Sequence, residues 1–429
     1  MAKIKSIAVR EILASGGAPS LEAKVILESG ATGVASVSYG ASAGSKEAFV
    51  MLDGDKNRYN GKGMLKAKEK IDLIIAPALI GKEANDQREI DELMLQLDGT
   101  INKANLGGNS ILAVSLAVAR AAAADNDLPL YKYLRKVFAI SPASLTSNSS
   151  EYWKMPKPMV VMIEGGKHAD ETTDLQEYLI SSLGNRSAAE NVRIQMEIYE
   201  ALKKILKREG LSTNVGNEGA FAPGGIVGNE KPMEYFVEAI KNAGYTPGVD
   251  AGISIDAAAS ELYSEETKKY TLALEKKEMT SEELVAYYLS WIDKYPFVSW
   301  EDMLSEFDWE HWPKLVEAVN SKIIIIADDL TVTNLKLWQK AIDEKAATGI
   351  LIKLNQAGSV TETVDCCVLA QKHGFWKVPS HRGGGETNDT FMVDLAVAVG
   401  GEYIKVGPTR GERVCKYNRL MEIEEEING

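Results

Sequence analysis

In the C-terminal two-thirds of the chain, short apolar runs repeatedly end on residues able to do chemistry. GISID ends at Asp256, FVSWE at Glu301, KIIIIAD at Asp328 and GILIK at Lys353; WKVPSHR reaches His381 and Arg382, and EYIK ends at Lys405. Three carboxylates gathered by successive strands cannot all stay ionised without a cation. Oxygen donors with no histidine among them favour Mg²⁺ or Mn²⁺ over zinc. Any one of these acids alone reads as a helix cap or a surface charge, and Asp328–Asp329 sits where a cap would sit. Three at matching positions read as a metal site. Lysine is almost never buried unpaired, so Lys353 at the end of a β-branched run reads as a functional amine. Beside a dication and partly desolvated, its pKa is expected to fall, giving a general base. His381, Arg382 and Lys405 bring positive charge to the same rim, as an anionic substrate carrying carboxylate or phosphate requires. The run HRGGGE (381–386) offers backbone N–H groups before a helix expected to open near Thr387, which reads either as a phosphate cradle or as a long turn.

Two earlier segments hold further polar residues: VGNEGAFAP (215–223) with Glu218, and EGGKHADETTDLQE (164–177) with His168, Gln176 and Glu177. Loop acids are usually solvated, so on their own these say little. His311 and His373 fall on expected helices or their ends and read as structural.

The elements that must position this set follow from the spacing. After a first gap of 45 residues, the strand ends recur every 24 to 28 residues, one strand–loop–helix–loop unit each. The long gap leaves room for an excursion around YTLAL (270–274) before a helix opened by TSEE (280–283), a capping-box pattern. Helices are expected at 309–320, 334–345, 360–372 and 387–399. Strand and helix alternating at this period imply parallel strands with crossover helices, and IIIIA (323–327) reads as buried on both faces. A β/α barrel explains why the polar residues all gather at the carboxyl ends of strands. The rival, a doubly wound open sheet, gathers ligands at one switch point instead. Residues 1–140 mix strands (Ile4–Arg10, Leu21–Leu27) with helices from about 63 to 137, including an Ala-rich buried helix expected to be capped by Asn109 or Ser110. The Ser- and Pro-rich stretch 141–158 reads as the boundary. The expected architecture is therefore α/β: an N-terminal α+β capping domain (1–140) on a C-terminal TIM-like β/α barrel (141–429).

Composition narrows the partners. A formal charge of −13 argues against nucleic acid or an anionic membrane as the main partner. Three cysteines, two adjacent, build no disulfide or zinc framework and read as reduced cytoplasmic thiols. The start MAKIKSIAVREIL has no signal-peptide pattern, and the most apolar stretch, 111–124, is shorter than the roughly 20 residues of a membrane span.

With these motifs in order, the chain resembles the enolases over nearly its full length. The matching stretches include GASAGSKEA, DGDKNRYNGKG, GGNSILAVSLAVARAAA, GGKHAD, LQEY, VGNEGAFAP, SIDAAASELY, VSWED, ADDLTVTN, LIKLNQAGSVTET, SHR with GET, and KYNRLMEIEEE. The resemblance implies reversible dehydration of 2-phosphoglycerate to phosphoenolpyruvate in glycolysis and gluconeogenesis, a cytoplasmic location and a homodimer or higher homo-oligomer. It implies that Lys353 takes the proton next to the carboxylate, and that Glu218, paired with Glu177, acts on the departing hydroxide. Asp256, Glu301 and Asp328 would hold the first of two Mg²⁺ ions, and Ser42 the second once substrate enters. Arg382 would hold phosphate and Lys405 the carboxylate end, with Ala41, Gln176, His381 and Gly383 also around the substrate and His168 over it. A lysine base assisted by Mg²⁺ is a known pattern of the enolase superfamily, carried over with the resemblance and not read from these residues alone.

The chain also departs from the family pattern. The usual D-S-R-G-N-P-T reads ASGGAPS (14–20), without its Asp and Arg, which bears on dimer contacts. N-G-G-x-H-A reads EGGKHA, placing Glu164 near the site; G-D-E-G-G reads GNEGA, with Asn217 for an acid; and S-H-R-S-G-E reads SHRGGGE, with Gly383 for a serine. These changes sustain a second reading, an enolase-like enzyme acting on a phosphonate analogue. A third, an inactive relative serving as a binding protein, would be expected to lack an acid, base or metal ligand; all are present.

Overall fold

The computed structural model describes residues 2–40, 46–141, 153–170 and 172–429. The chain opens with an antiparallel meander, β1 (Ile4–Leu13), β2 (Pro19–Leu27) and β3 (Thr32–Ser36). Leu21, Ala23, Val25 and Leu27 alternate along β2 and are all fully buried, the period-two pattern of a strand with one covered face. A two-residue strand, β4 (Tyr39–Gly40), follows. Helices α1 (Leu65–Lys70), α2 (Ala76–Leu79), α3 (Gln87–Asp98), α4 (Gly108–Asp125) and α5 (Leu130–Val137) complete the region. The Ala-rich α4 lies against β3 so closely that a Cβ on Gly33 would fall 2.1 Å from the Ala117 carbonyl oxygen. Only small residues on both sides permit that approach.

Asn109 and Ser110 do not cap α4; Gly107 does, without a side-chain bond. The two polar side chains instead hold the preceding chain: Asn109 Oδ1 accepts from Met51 N at 3.0 Å, and the Ser110 hydroxyl donates to the Ala67 carbonyl.

The second region carries β5 (Lys157–Glu164), β6 (Glu177–Ser182), α6 (Ala188–Arg208), α7 (Lys231–Asn242) and β7 (Ala251–Asp256). The predicted excursion is a small sheet of β8 (Tyr263–Ser264), β9 (Lys269–Leu272) and β10 (Lys277–Met279). Then come α8 (Ser281–Leu289), β11 (Phe297–Glu301), α9 (Trp312–Val319), β12 (Ile324–Ala327), α10 (Leu335–Asp343), β13 (Gly349–Ile352), α11 (Leu354–Ala357) and α12 (Val360–Lys372). The chain ends with β14 (Trp376–Pro379), β15 (Gly384–Gly385), α13 (Phe391–Ala398), β16 (Tyr403–Val406) and α14 (Gly411–Asn428). Eight strands pair in the order β14-β13-β12-β11-β7-β6-β5-β16. A parallel bridge between Ser380 and Lys405, with Glu402 N donating to Lys377 O, brings the two edges together as a barrel. Met159, Val161, Leu179, Ile326, Leu351 and Val378 fill its interior.

The barrel is not wholly parallel: β6 runs antiparallel to both β5 and β7. The chain makes a hairpin from β5 to β6 and only then places two helices in succession. Thr280 and Glu283 form the predicted capping box at α8.

The first region sits on the carboxyl rim of the barrel. Asp91 and Ser115 accept the N–H groups of Thr361 and Val360 at 2.9 and 3.0 Å, satisfying two free donors at the start of α12. β4 pairs with β15, and Asp389 accepts from Ser36 N and Arg120. These contacts move the start of α13 to Phe391 rather than Thr387, so the glycine run after Arg382 is a strand against the cap and not a helix-terminal cradle. No helix among the described residues is long and apolar enough to cross a membrane.

Candidate active site

The barrel's carboxyl rim brings His168, Gln176, Glu177, Glu218, Asp256, Asp328, Lys353, His381, Arg382, Gly383 and Lys405 to one cleft. Glu301 joins through Lys405. Ala41 and Ser42 lie outside the described residues.

Lys405, from β16, reaches across the barrel mouth: its Nζ is 2.9 Å from Asp256 Oδ2, 2.7 Å from Glu301 Oε1 and 2.9 Å from Glu177 Oε2. Burial opposes its charge, but Asp256 and Glu177 raise its pKa well above the usual lysine value. Lys353 directly follows β13 and ion-pairs with Asp328. Burial would lower its pKa; the Asp328 carboxylate outweighs that and raises it. The expected fall is therefore not present while Asp328 is paired with this amine, because the opposite charge in contact favours the ammonium.

The carboxylates divide unevenly. Burial and the charge of Asp256 push Glu301 well up. Burial raises Asp256 despite Lys405, whereas Lys353 overcomes burial at Asp328 and lowers it. Asp302 escaped the sequence reading, in which Asp329 appears only as a helix cap. Asp302 is fully buried, accepts from the N–H groups of Asp328 and Asp329 at 2.9 and 2.8 Å, and is raised by burial and by Asp329. Burial and Asp328 push Asp329 up to about 7.

Asp302, Asp328 and Asp329 bring oxygens within 4.8 Å of one another; of the predicted trio, Asp256 and Glu301 are joined by Lys405, and Asp328 pairs with Lys353. Buried acids that suppress each other's ionisation, with oxygen the only donor atom, nonetheless fit a hard dication such as Mg²⁺.

A second cluster lies at the β5–β6 side. His168 Nδ1 is 3.1 Å from Glu177 Oε1 and 3.5 Å from Glu218 Oε1, and His381 Nε2 is 3.3 Å from Glu218 Oε2. Burial opposes a charge on His168, but Glu218 and Glu177 push its pKa up to about 9. Burial would raise Glu218; His381 and His168 together hold it well below the usual range. Arg413 Nε donates to His381 Nδ1 at 3.3 Å. A guanidinium has no acceptor, so in this geometry the other ring nitrogen carries the proton toward Glu218. Arg413 and Glu218 thus take up the two ring nitrogens of His381.

Arg382, fully buried, is held by Glu47 and Asn355, while its backbone N–H donates to Glu386. Gln356 bridges Glu47 and Asp328. Gly383 leaves room for the site: a Cβ there would lie 2.6 Å from Glu218 Oε1 and 2.8 Å from His168 Cε1, and those side-chain ends would have to shift. His311 pairs with Asp308 and Glu282 beside α9, and His373 ends α12.

Comparison with known families yields two matches. The profile described as "Enolase, N-terminal domain" covers residues 4–134, and that described as "Enolase, C-terminal TIM barrel domain" covers residues 152–429.

Proposed function

Because this chain belongs to the enolase family, we propose that it catalyses the reversible, Mg²⁺-dependent dehydration of 2-phosphoglycerate to phosphoenolpyruvate. The observation that carries the reading is Lys405. One ammonium touches both the carboxylates assigned to metal, Asp256 and Glu301, and the acid cluster, through Glu177. A substrate carboxylate placed there lies between a base, Lys353, and a proton donor, the His168–Glu218 pair.

In the forward direction Lys353 Nζ takes the proton from the carbon next to the carboxylate. To act so, its ammonium must first separate from Asp328 and release its own proton to solvent, leaving the neutral amine as the base. Bound Mg²⁺ would supply positive charge against the oxygens of the enediolate, using Asp256, Glu301 and Asp328 as ligands. Lys405 stabilises the same oxygens, and Arg382 holds the phosphate. The hydroxyl leaves with a proton from the His168–Glu218 pair as water, and the carbon–carbon double bond forms. Two roughly matched groups, one accepting and one donating, are what the elimination needs.

The reading is tested by mixing purified protein with Mg²⁺ and 2-phosphoglycerate and following the ultraviolet absorbance of phosphoenolpyruvate. Absorbance should grow and a chelator should stop it. A second reading, turnover of a phosphonate analogue, draws on Gly383, which stands where the family has serine and where a Cβ would crowd the ends of Glu218 and His168. Silence with 2-phosphoglycerate and turnover of such an analogue would favour it. The substrate is in either case a phosphorus-bearing small carboxylate. Assembly as a homodimer or higher homo-oligomer belongs to the same proposal and is read from solution mass.

A further inference from the structure

Glu164 stands at the end of β5 where the family pattern has Asn, and it is completely buried. Its Oε1 accepts two backbone N–H groups, those of Glu218 and Ala220, each at 2.9 Å. The backbone is tied in as well: Glu164 N donates to Phe221 O, and Phe221 N to Met162 O. The other carboxyl oxygen, Oε2, is buried with no hydrogen-bond partner. It packs against Gly216, where a Cβ would lie 2.3 Å from it and force the carboxyl group to shift. A carboxyl group is thus built into the base of the loop that presents Glu218, with one oxygen holding the loop and the other held away from water.

We propose that Glu164 is a positioning residue for Glu218, fixing its backbone and tuning the proton affinity of the His168–Glu218 pair by its own charge. The inference rests on the catalytic role proposed above for that pair.

The groups that face Glu164 decide the sign. Glu218 and His168 lie on the loops packed over it, and Glu177 is its cross-strand partner on β6. The Tyr199 hydroxyl, on α6, donates to Gly219 O in the same loop. Arg410 approaches from outside, donating to Gly216 O. Burial and Glu218 push Glu164 up to about 8. When it ionises, its negative charge favours the proton on His168, whose pKa it helps to raise. Around that pH the protein therefore retains a proton beside Glu218 that a neutral residue would let go.

The test needs no substrate in its first arm. The chain has four histidines, so ring-carbon NMR of labelled protein, with His168→Asn for assignment, follows His168 directly. Glu164→Gln keeps an acceptor oxygen for both N–H groups but removes the charge. Its His168 midpoint should drop from about 9 by roughly one pH unit. Glu164→Asp keeps the charge but shortens the reach, so it should hold the midpoint nearer wild type while losing the grip on the loop. An unmoved midpoint in Glu164→Gln would overturn the tuning.

The second arm is turnover of 2-phosphoglycerate. Glu164→Ala should lower kcat about 100-fold with KM within about threefold, and Glu164→Gln should lower it less. Its alkaline limb should shift down in step with the NMR midpoint. Unchanged kcat in Glu164→Ala would overturn the positioning. If wild type does not turn over, the proposed reaction has failed, whereas the NMR arm still decides whether Glu164 tunes the pair.

Discussion

Glu47 Oε1 lies 3.1 Å from both terminal nitrogens of Arg382, a residue 335 positions later in the chain. The pair is buried, and it joins the capping region to the barrel at the point assigned to phosphate. Removing one partner of a buried pair leaves the other charge uncompensated, which costs about 3–5 kcal/mol. Glu47→Ala should therefore lower unfolding free energy by an amount of that order in a denaturant titration. A loss under about 0.5 kcal/mol, the size of an ordinary surface substitution, would mean the pair contributes nothing to holding the cap on the barrel.

A second joint is at the start of α12. Asp91 accepts from Thr361 N and from the Gln87 amide. Asp91→Ala leaves the Thr361 N–H buried without a partner, while the Gln87 amide keeps Ser115, a loss of about 1–3 kcal/mol. Thermal unfolding should shift down accordingly, while Asp91→Asn, which keeps an acceptor oxygen, should recover part of the loss.

Stability should also fall as pH rises through the neutral range. The His168 pKa is raised from its ordinary 6.5 to about 9. Its contribution is fully present below 6.5 and is lost as pH passes through about 9. Glu164 is raised from 4.5 to about 8. In both cases the native state holds a proton that the unfolded chain has released, so the slopes have the same sign. Metal-free protein should show a Tm that declines between pH 6.5 and 9, and Glu164→Gln should flatten part of the decline. A rising Tm over that interval would contradict both shifts.

Metal should act in the opposite sense. At a free Mg²⁺ concentration of 100 Kd, binding to the native state alone adds about 2.7 kcal/mol. A titration followed by Tm should show that stabilisation, and Asp256→Asn should weaken it. No Tm response to Mg²⁺ in wild type would remove the metal from the proposed reaction.

Much of the site was legible from sequence because strand geometry imposes it. Asp256 and Glu301 end buried strands, Asp328 and Lys353 directly follow such strands and Lys405 lies one residue before an end, and parallel strands of a barrel present their ends on one rim. The direction of β6 was not legible: EYLISS is as apolar as a parallel strand, and a buried strand reads alike in either direction. The Glu47–Arg382 pair and the β4–β15 pairing join distant segments and leave no local periodicity. The Lys353–Asp328 contact, which raises the lysine pKa in the metal-free site, left no local signal either. Glu164 was visible only as a departure, and its meaning came from the two N–H groups above it.

The central claim is that Lys353 removes the proton while the His168–Glu218 pair assists the departing hydroxide. It is tested most directly by separating the two steps in Glu218→Gln. With Mg²⁺ and 2-phosphoglycerate in D₂O, NMR reads deuterium entering the carbon next to the carboxylate, and ultraviolet absorbance reads phosphoenolpyruvate. Glu218→Gln should exchange that hydrogen while forming product at least about 100-fold more slowly than wild type, and Lys353→Ala should lose both reactions with its fold intact. Dehydration at near wild-type rate in either variant, or exchange persisting in Lys353→Ala, would contradict the assignment of acid and base.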